Sequence, residues 1–358
     1  MKTTASLKGF AVAFVAASVL MIAPSLYADS GANHQGSNSH FGVSGGNVND
    51  ITARFCCSGT LGSLLQGGGN QYILSNNHIL ARSDQAAVGE DISQPGLIDN
   101  NCQLPPIVAD FTTASPLGSN VDAAIAQLRA GAMDATGFIE DIGTISSTVK
   151  TPSVGLSVVK SGRTTGLTTG TISSVNTSVS VQYQKNCGSG KKFVVSYSNQ
   201  VVVSGRTFSA GGDSGSLIMS DNACHQPVAL LFAGSSTTTI GNPIGEVLAK
   251  LSDRLGSSLS FVGGSCTAAP EIASVNPQTP EPSEASVARA IEVMRGREKE
   301  LMSRPGIIGV GVGASDNDPN EASIVVYIDA NAQISASVPR RINGVRVRRV
   351  FTEPFVAY

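Results

Sequence analysis

The chain has no tryptophan, only 5% aromatic residues, and 14% charged residues across 358 positions, well short of the quarter or so typical of globular domains. The 24 Lys and Arg nearly balance the 26 Asp and Glu, leaving a formal net charge of −2. A polyanion needs a basic stripe, so no nucleic-acid partner is expected. Neither a Cys-x-x-Cys nor a closely spaced histidine pair occurs among the six cysteines and four histidines, and neither a metal nor another cofactor is expected. Beyond position 22 no apolar run is long enough to span a bilayer as a helix. With 39 glycines and many β-branched residues, most of the chain favours strands and turns over helices.

The amino-terminal segment reads as an address. Lys2 and Lys8 precede the 14-residue apolar stretch Gly9 to Ile22, and Leu26-Tyr27-Ala28 offers a small residue for cleavage. Residues 1–28 are expected to be a secretory signal, so that the protein is secreted, extracellular or periplasmic, with no membrane contact after its removal. Export suits Cys56, Cys57, Cys102, Cys187, Cys224 and Cys266, an even set that suggests disulfides but leaves 15 pairings open. Adjacent Cys56 and Cys57 are expected to take different partners.

Residues 29–50, with two acids, no Lys or Arg and much Gly, Asn and Ser, read as a flexible lead-in or pro-segment. From 51 to 266, short apolar runs such as Tyr72-Ile73-Leu74, Val201-Val202-Val203 and Val228 to Phe232 alternate with turn signals, the rhythm of an all-β barrel or sandwich. Residues 267–284 carry four prolines and read as a stiff linker. Residues 285–358 hold 10 of the basic residues and no cysteine. Here Val287, Ile291, Met294 and Leu301 predict an amphipathic helix over 285–303. Ile307 to Val312, Ile324 to Ile328 and Val345 to Phe351 predict strands. This is a small α+β domain with few elements, expected to lean on the first.

Three segments carry the chemistry. Ser209-Ala210-Gly211-Gly212-Asp213-Ser214-Gly215-Ser216 places a serine among glycines before an apolar strand. A serine hydroxyl attacks only beside a base and with N–H donors facing the developing oxyanion. His34 and His40 fall in the lead-in and His225 in a loop after Cys224, whereas His78 follows a strand in Ser75-Asn76-Asn77-His78. Asp122, inside the apolar Val121 to Ala126, is costly to bury without a partner. An imidazole Nδ1–H is such a partner. Asp110 is the rival acid, in a less apolar setting. Each motif alone has an ordinary explanation: a turn, a strand-end histidine, a solvent-facing acid. Their order, His78, Asp122, Ser214, with gaps of 44 and 92 residues, is what joins them.

With these motifs residues 51–266 resemble a trypsin/chymotrypsin-fold serine peptidase. Ser161-Gly162-Arg163-Thr164-Thr165-Gly166-Leu167-Thr168-Thr169-Gly170 is similar to a segment of the bacterial secreted members, the α-lytic protease and streptogrisin group. Thr169 and Ile79 stand where that group has cysteines, so its disulfide pattern does not transfer. The resemblance implies an all-β double β-barrel (chymotrypsin-like) followed by the small α+β domain. It also implies a serine endopeptidase acting through an acyl-enzyme on protein or peptide substrates. Ser214 would be the nucleophile, His78 the acid/base, Asp122 the orienting carboxylate, and the N–H groups of Gly212 and Ser214 the oxyanion hole. Phe208 would lie at the floor of the S1 pocket, with Phe232, Ala233 and Gly234 along a wall. No acid occupies that floor, so a small or apolar P1 residue is expected. A catalytically silent binding module and an esterase with the same triad are the competing readings.

Overall fold

The computed structural model describes residues 34–36, 39–266, 281–332 and 338–358. The expected signal at 1–28 and most of the expected linker lie outside them.

The first barrel is built from β1 (Val43–Asn47), β2 (Gly59–Leu61), β3 (Ser63–Gly67), β4 (Asn70–Ser75), β5 (Asp91–Ser93), β6 (Ile107–Ala114) and β7 (Ala124–Leu128), with a one-turn helix α1 (Asn77–Leu80) after β4. β3 pairs β4, β4 pairs β7, β7 pairs β6, β6 pairs β5, β5 pairs β1, and β1 returns to β2. Only Gly62 separates β2 from β3, so the path closes on itself and leaves no open edge.

The second barrel uses β8 (Ser157–Lys160), β9 (Thr168–Asn186), β10 (Ser189–Ser204), β11 (Leu217–Ser220), β12 (Pro227–Ser235) and β13 (Thr238–Pro243). Its ring runs β8, β9, β10, β13, β12, β11 and back to β8. Taking β2 and β3 as one bent strand, both barrels have the spatial order first, second, third, sixth, fifth, fourth. The same connectivity used twice is the expected double β-barrel. Helix α2 (Ile244–Leu255) then crosses back, burying Ile244, Val247 and Leu251 in the first barrel's core, and β14 (Ser260–Phe261) pairs β3.

Two departures from the sequence reading concern the start of this unit. Val43–Asn47, within the expected lead-in, is a fully buried strand. Its Val-Ser-Gly-Gly-Asn composition hides it, because Leu61 fills the space where a side chain at Gly45 would stand. His34 is buried too and bonds the Gly42 carbonyl and the Asp141 carboxylate, at 3.1 and 3.0 Å.

The cysteines pair as Cys56–Cys102, Cys57–Cys187 and Cys224–Cys266, so the adjacent pair does divide between partners. Cys57–Cys187 closes a sequence separation of 130 residues and fastens the tip of the β9–β10 hairpin to the first barrel. In the chain-entropy account a loop of that size contributes about 4–5 kcal/mol.

The trailing domain has α3 (Glu284–Arg295), α4 (Glu298–Met302), β15 (Ile307–Ala314), β16 (Ala322–Asp329), β17 (Arg341–Ile342), β18 (Val345–Thr352) and β19 (Phe355–Ala357). The single helix expected over 285–303 is broken at Gly296-Arg297, glycine being a poor helix former. Ser283 caps α3 by accepting from the Ser286 N–H. Beneath the helices Ala290, Met294, Leu301, Val310, Val312, Ile324 and Val326 form a separate core. This domain does more than lean on the barrels. β15 pairs antiparallel with β9, so β15, β16 and β18 extend the second barrel's sheet. Glycines alternate along β15, and a methyl on Gly311 would overlap the Thr177 side chain, so the two strands meet only because that side chain is missing. Among the described residues no helix is long and apolar enough to cross a membrane.

Candidate active site

His78 sits in the one-turn helix α1, and its two preceding asparagines explain how the turn is held. The Asn76 Nδ2 donates to the Asp122 carbonyl at 2.7 Å, and the Asn77 Nδ2 donates to the Ser115 carbonyl at 2.8 Å. Both asparagines are buried, so these bonds replace lost hydration. Asp122 lies just before β7 rather than inside it, completely buried. Its main-chain N–H donates to the Asn242 Oδ1 at 3.0 Å. Its carboxylate accepts from the His78 Nδ1 at 2.6 Å, from the His78 main-chain N–H at 3.2 Å and from the Tyr183 hydroxyl at 2.8 Å. Tyr183, on β9, in turn bonds the Tyr197 hydroxyl at 2.7 Å. Burial and the Asp122 charge hold the Tyr183 phenol well above its ordinary pKa, so it remains a donor. The rival Asp110 is instead on the surface of β6, paired with Arg129.

Ser214 is fully buried in the turn between β10 and β11. Thr60 fastens this turn to the first barrel, its N–H donating to the Ser214 carbonyl at 2.8 Å and its hydroxyl to the Gly212 carbonyl at 3.0 Å. Gly212 has a φ of +98°, and a side chain there would overlap Thr164. That conformation is open to glycine at little cost. Among the described residues the N–H groups of Gly212 and Ser214 have no protein acceptor, which is the condition an oxyanion site needs.

The Asp213 carboxylate shapes the turn from beneath. It accepts from the N–H groups of Thr164, Thr165 and Ala210 at 2.9, 3.1 and 2.9 Å and from the Thr165 hydroxyl at 2.8 Å. The Ser161 to Thr165 string is thus the seat of the serine's neighbour. The Lys160 ammonium lies 3.6 Å from Asp213, both side chains wholly buried, and donates to the Thr165 hydroxyl and the Gly166 carbonyl. Burial lowers the Lys160 pKa, and Asp213 opposes that shift.

The cleft is not empty. Strand β19 lies along β12 in antiparallel register, Ala357 opposite Ala233 and Val356 opposite Gly234, with its other edge on β9. The Tyr358 carbonyl oxygen accepts from the His78 Nε2 at 3.0 Å. The Ser214 hydroxyl donates to the Phe232 carbonyl at 3.2 Å instead of to that nitrogen. Both ring nitrogens face oxygen acceptors, an arrangement that favours the charged imidazole. Burial alone lowers the His78 pKa; the charge and hydrogen bond of Asp122, the Tyr358 carbonyl and the Asp50 charge outweigh it, and the net shift is upward. Asp50, in the turn after β1, is itself pushed up to about 6, chiefly by burial, while Arg82 and His78 pull the other way.

Of the residues expected around S1, Gly234 borders the Tyr358 ring directly, since a methyl there would overlap its hydroxyl. Phe208 is buried in the cluster on which Tyr358 packs. Ala233 contributes backbone pairing. Phe232 departs from expectation, meeting the site with its carbonyl while its ring packs 4.9 Å from Tyr197. Tyr183, Asp50, Lys160 and Tyr358 were missed. A lysine in the apolar run Val158-Val159-Lys160 was a readable signal for a buried ion pair; the others become neighbours only through the fold.

The Nal1 C-terminal domain family matches residues 119–242, about a third of the chain. No curated protein sequence matches it. Among solved structures it is similar to a glutamic acid specific serine protease, 21% identical with a TM-score of 0.43, over 61% of this chain and 98% of that one. It is also similar to Thermobifida fusca protease A, 18% identical with a TM-score of 0.42, over 64% and 100%. A third is Cellulomonas bogoriensis chymotrypsin, 18% identical with a TM-score of 0.42, over 63% and 100%.

Proposed function

We propose that the protein is a secreted serine endopeptidase. The observation that carries this is the buried Asp122 carboxylate receiving the His78 Nδ1 proton at 2.6 Å, beside a glycine turn whose serine stands next to two N–H groups free of protein acceptors. Three disulfides suit an oxidising compartment.

The chemistry assigns each group one task. The Ser214 Oγ attacks a peptide carbonyl carbon as His78 Nε2 takes its proton, and the carbonyl oxygen becomes an oxyanion facing the N–H groups of Gly212 and Ser214. The C–N bond then breaks, and His78 returns the proton to the departing amine. A water attacks the resulting ester with His78 again accepting the proton; the acid product leaves and Ser214 regains its hydrogen. Asp122 holds the imidazole in the needed tautomer and stabilises its cationic form. For this cycle the Ser214 hydroxyl must turn from the Phe232 carbonyl to His78, a move between staggered rotamers.

That same bond to Phe232 is what favours the second reading, a silent protease fold used for binding. Incubating the folded protein for hours with a fluorophosphonate, beside a Ser214→Ala control, separates the two. Covalent labelling lost in the control is expected; folded protein that never labels would favour the binding module.

A further inference from the structure

The strand in the cleft identifies the substrate class. We propose that residues 355–358 occupy the acyl half of the substrate groove in substrate register, so that the enzyme cleaves after tyrosine, preceded by a small residue, and is held inactive by its own trailing strand. This rests on the serine peptidase reading.

The register comes from three independent contacts. The Tyr358 carbonyl faces the His78 Nε2, at 3.0 Å, and not the N–H groups of Gly212 and Ser214, so Tyr358 is the strand residue nearest the nucleophile and stands at the acyl position without its carbonyl seated in the oxyanion site. Antiparallel pairing of Val356 and Ala357 with Gly234 and Ala233 adds a strand beside β12, and strand addition is a common mode of peptide recognition. The side chain then enters a specific slot. Its hydroxyl donates to the Ser235 carbonyl at 2.9 Å and lies over Gly234, where no side chain intervenes. Burial pushes the phenol up to about 12, so it keeps its proton and donates. Ser209 also bonds the phenol, and the Asp213 and Glu353 carboxylates reach it only through their charge, which favours a neutral hydroxyl over an acidic side chain in this slot. A phenylalanine would fit but leave the Ser235 carbonyl without its donor, which disfavours it.

The neighbouring positions are as definite. Ala357 packs on the cluster containing Tyr183, Tyr197 and Phe232, beside the histidine. Phe355 is completely buried, its ring 5.8 Å from Tyr327 of the trailing domain. That domain thus builds one wall of the groove as well as delivering the strand that fills it. The approach to the strand is anchored: the Thr352 hydroxyl bonds the Ser235 hydroxyl at 2.6 Å, and the Glu353 carboxylate accepts from the Ser236 N–H at 3.2 Å.

The test compares the full chain with a Tyr358→Gly variant, using fluorophosphonate labelling rates and hydrolysis of succinyl-Phe-Val-Ala-X-p-nitroanilide with X as Tyr, Phe, Arg or Glu. The variant is expected to label at least ten-fold faster, and to cleave Tyr about ten-fold better than Phe and far better than Arg or Glu. Acetyl-Phe-Val-Ala-Tyr is expected to inhibit the variant competitively, a check independent of how the variant's own tail settles. Equal labelling rates in the two proteins, or no inhibition by millimolar peptide, would overturn occupancy of the groove. A preference for Arg or Glu would overturn the substrate class. If neither protein labels at all although both are folded, the peptidase reading itself fails, an outcome distinct from the others.

Discussion

Tyr183 donates its phenolic proton to Oδ2 of Asp122 at 2.8 Å, the same oxygen that receives the His78 Nδ1 proton at 2.6 Å. A residue on the second barrel's long hairpin therefore helps aim a carboxylate and an imidazole that belong to the first. Because Tyr183 spends its proton on Asp122, Tyr197 must donate to Tyr183, and burial holds the Tyr197 phenol far above its ordinary value.

Replacing Tyr183 by phenylalanine removes one donor from Asp122 while keeping the ring. A hydrogen bond to a charged group contributes about 1.5–3 kcal/mol, part of which water can restore. The expectation in the Tyr358→Gly background is a fall in kcat of about ten-fold, equivalent to ~1.4 kcal/mol, with KM little changed. Steady-state kinetics across pH would check it; an unaltered kcat would deny Tyr183 a positioning role.

Lys160→Met leaves the Asp213 carboxylate buried without its cation. Removing one partner of such a pair typically costs about 3–5 kcal/mol, and Tm is expected to fall by about 10 °C. Lys160→Met combined with Asp213→Asn should recover much of that loss. Calorimetry on the two variants measures both, and a double variant no more stable than the single would show that the pair is not coupled.

The hold of β19 on the cleft should depend on pH. Asp122 raises the His78 pKa whether or not the strand is docked; the Tyr358 carbonyl bond is the upward contribution that docking adds, and that bond favours uptake of a proton. Its contribution is complete below the pKa of the undocked histidine and is lost as pH rises through that of the docked one. Labelling of the full chain should therefore accelerate relative to Tyr358→Gly as pH increases through that window. The groups facing His78 are Asp122 and Tyr183, with Asp50 contributing charge from the β1–β2 turn. Asp50 titrates near 6, and its protonation below that point removes support for the imidazolium. Asp50→Asn should weaken the hold at neutral pH. A rate ratio flat from pH 5 to 9 would contradict this coupling.

Gly311→Val would drive a branched side chain into Thr177 on β9. The trailing domain is expected to separate from the hairpin, with faster labelling and earlier proteolytic cleavage beyond residue 281. Limited proteolysis followed by mass spectrometry reads this directly; a digestion pattern like that of the parent would mean that the β9–β15 junction tolerates the added bulk.

What the sequence disclosed and what it hid divide along physical lines. His78 and Asp122 were legible because a histidine at a strand end and an acid in an apolar run both demand explanation, and each supplies the other's. The three trailing strands announced themselves by β-branched runs bounded by Gly, Pro and Asn. β1 was hidden because two of its five residues are glycines, with Leu61 of the neighbouring strand filling the space beside Gly45, so no hydrophobic pattern marked it. Tyr183, about 60 residues from Asp122, had no local signal: a tyrosine in a strand looks the same whether it meets solvent or a carboxylate. Phe355-Val356-Ala357-Tyr358 drew no assignment from the sequence, since only the sheet shared by two domains carries it to His78.

The two-residue link Glu353-Pro354 between β18 and β19 makes the blocked cleft a matter of tethering. A tethered strand meets its groove at an effective concentration that short connections place in the millimolar range or above. Dilution does not change that figure, so the cleft would stay shut at any protein concentration. A free peptide or protein must outcompete the strand against that local supply. Opening is then a first-order event, set by how often β19 lifts away or by a cut in the chain that ends the tether.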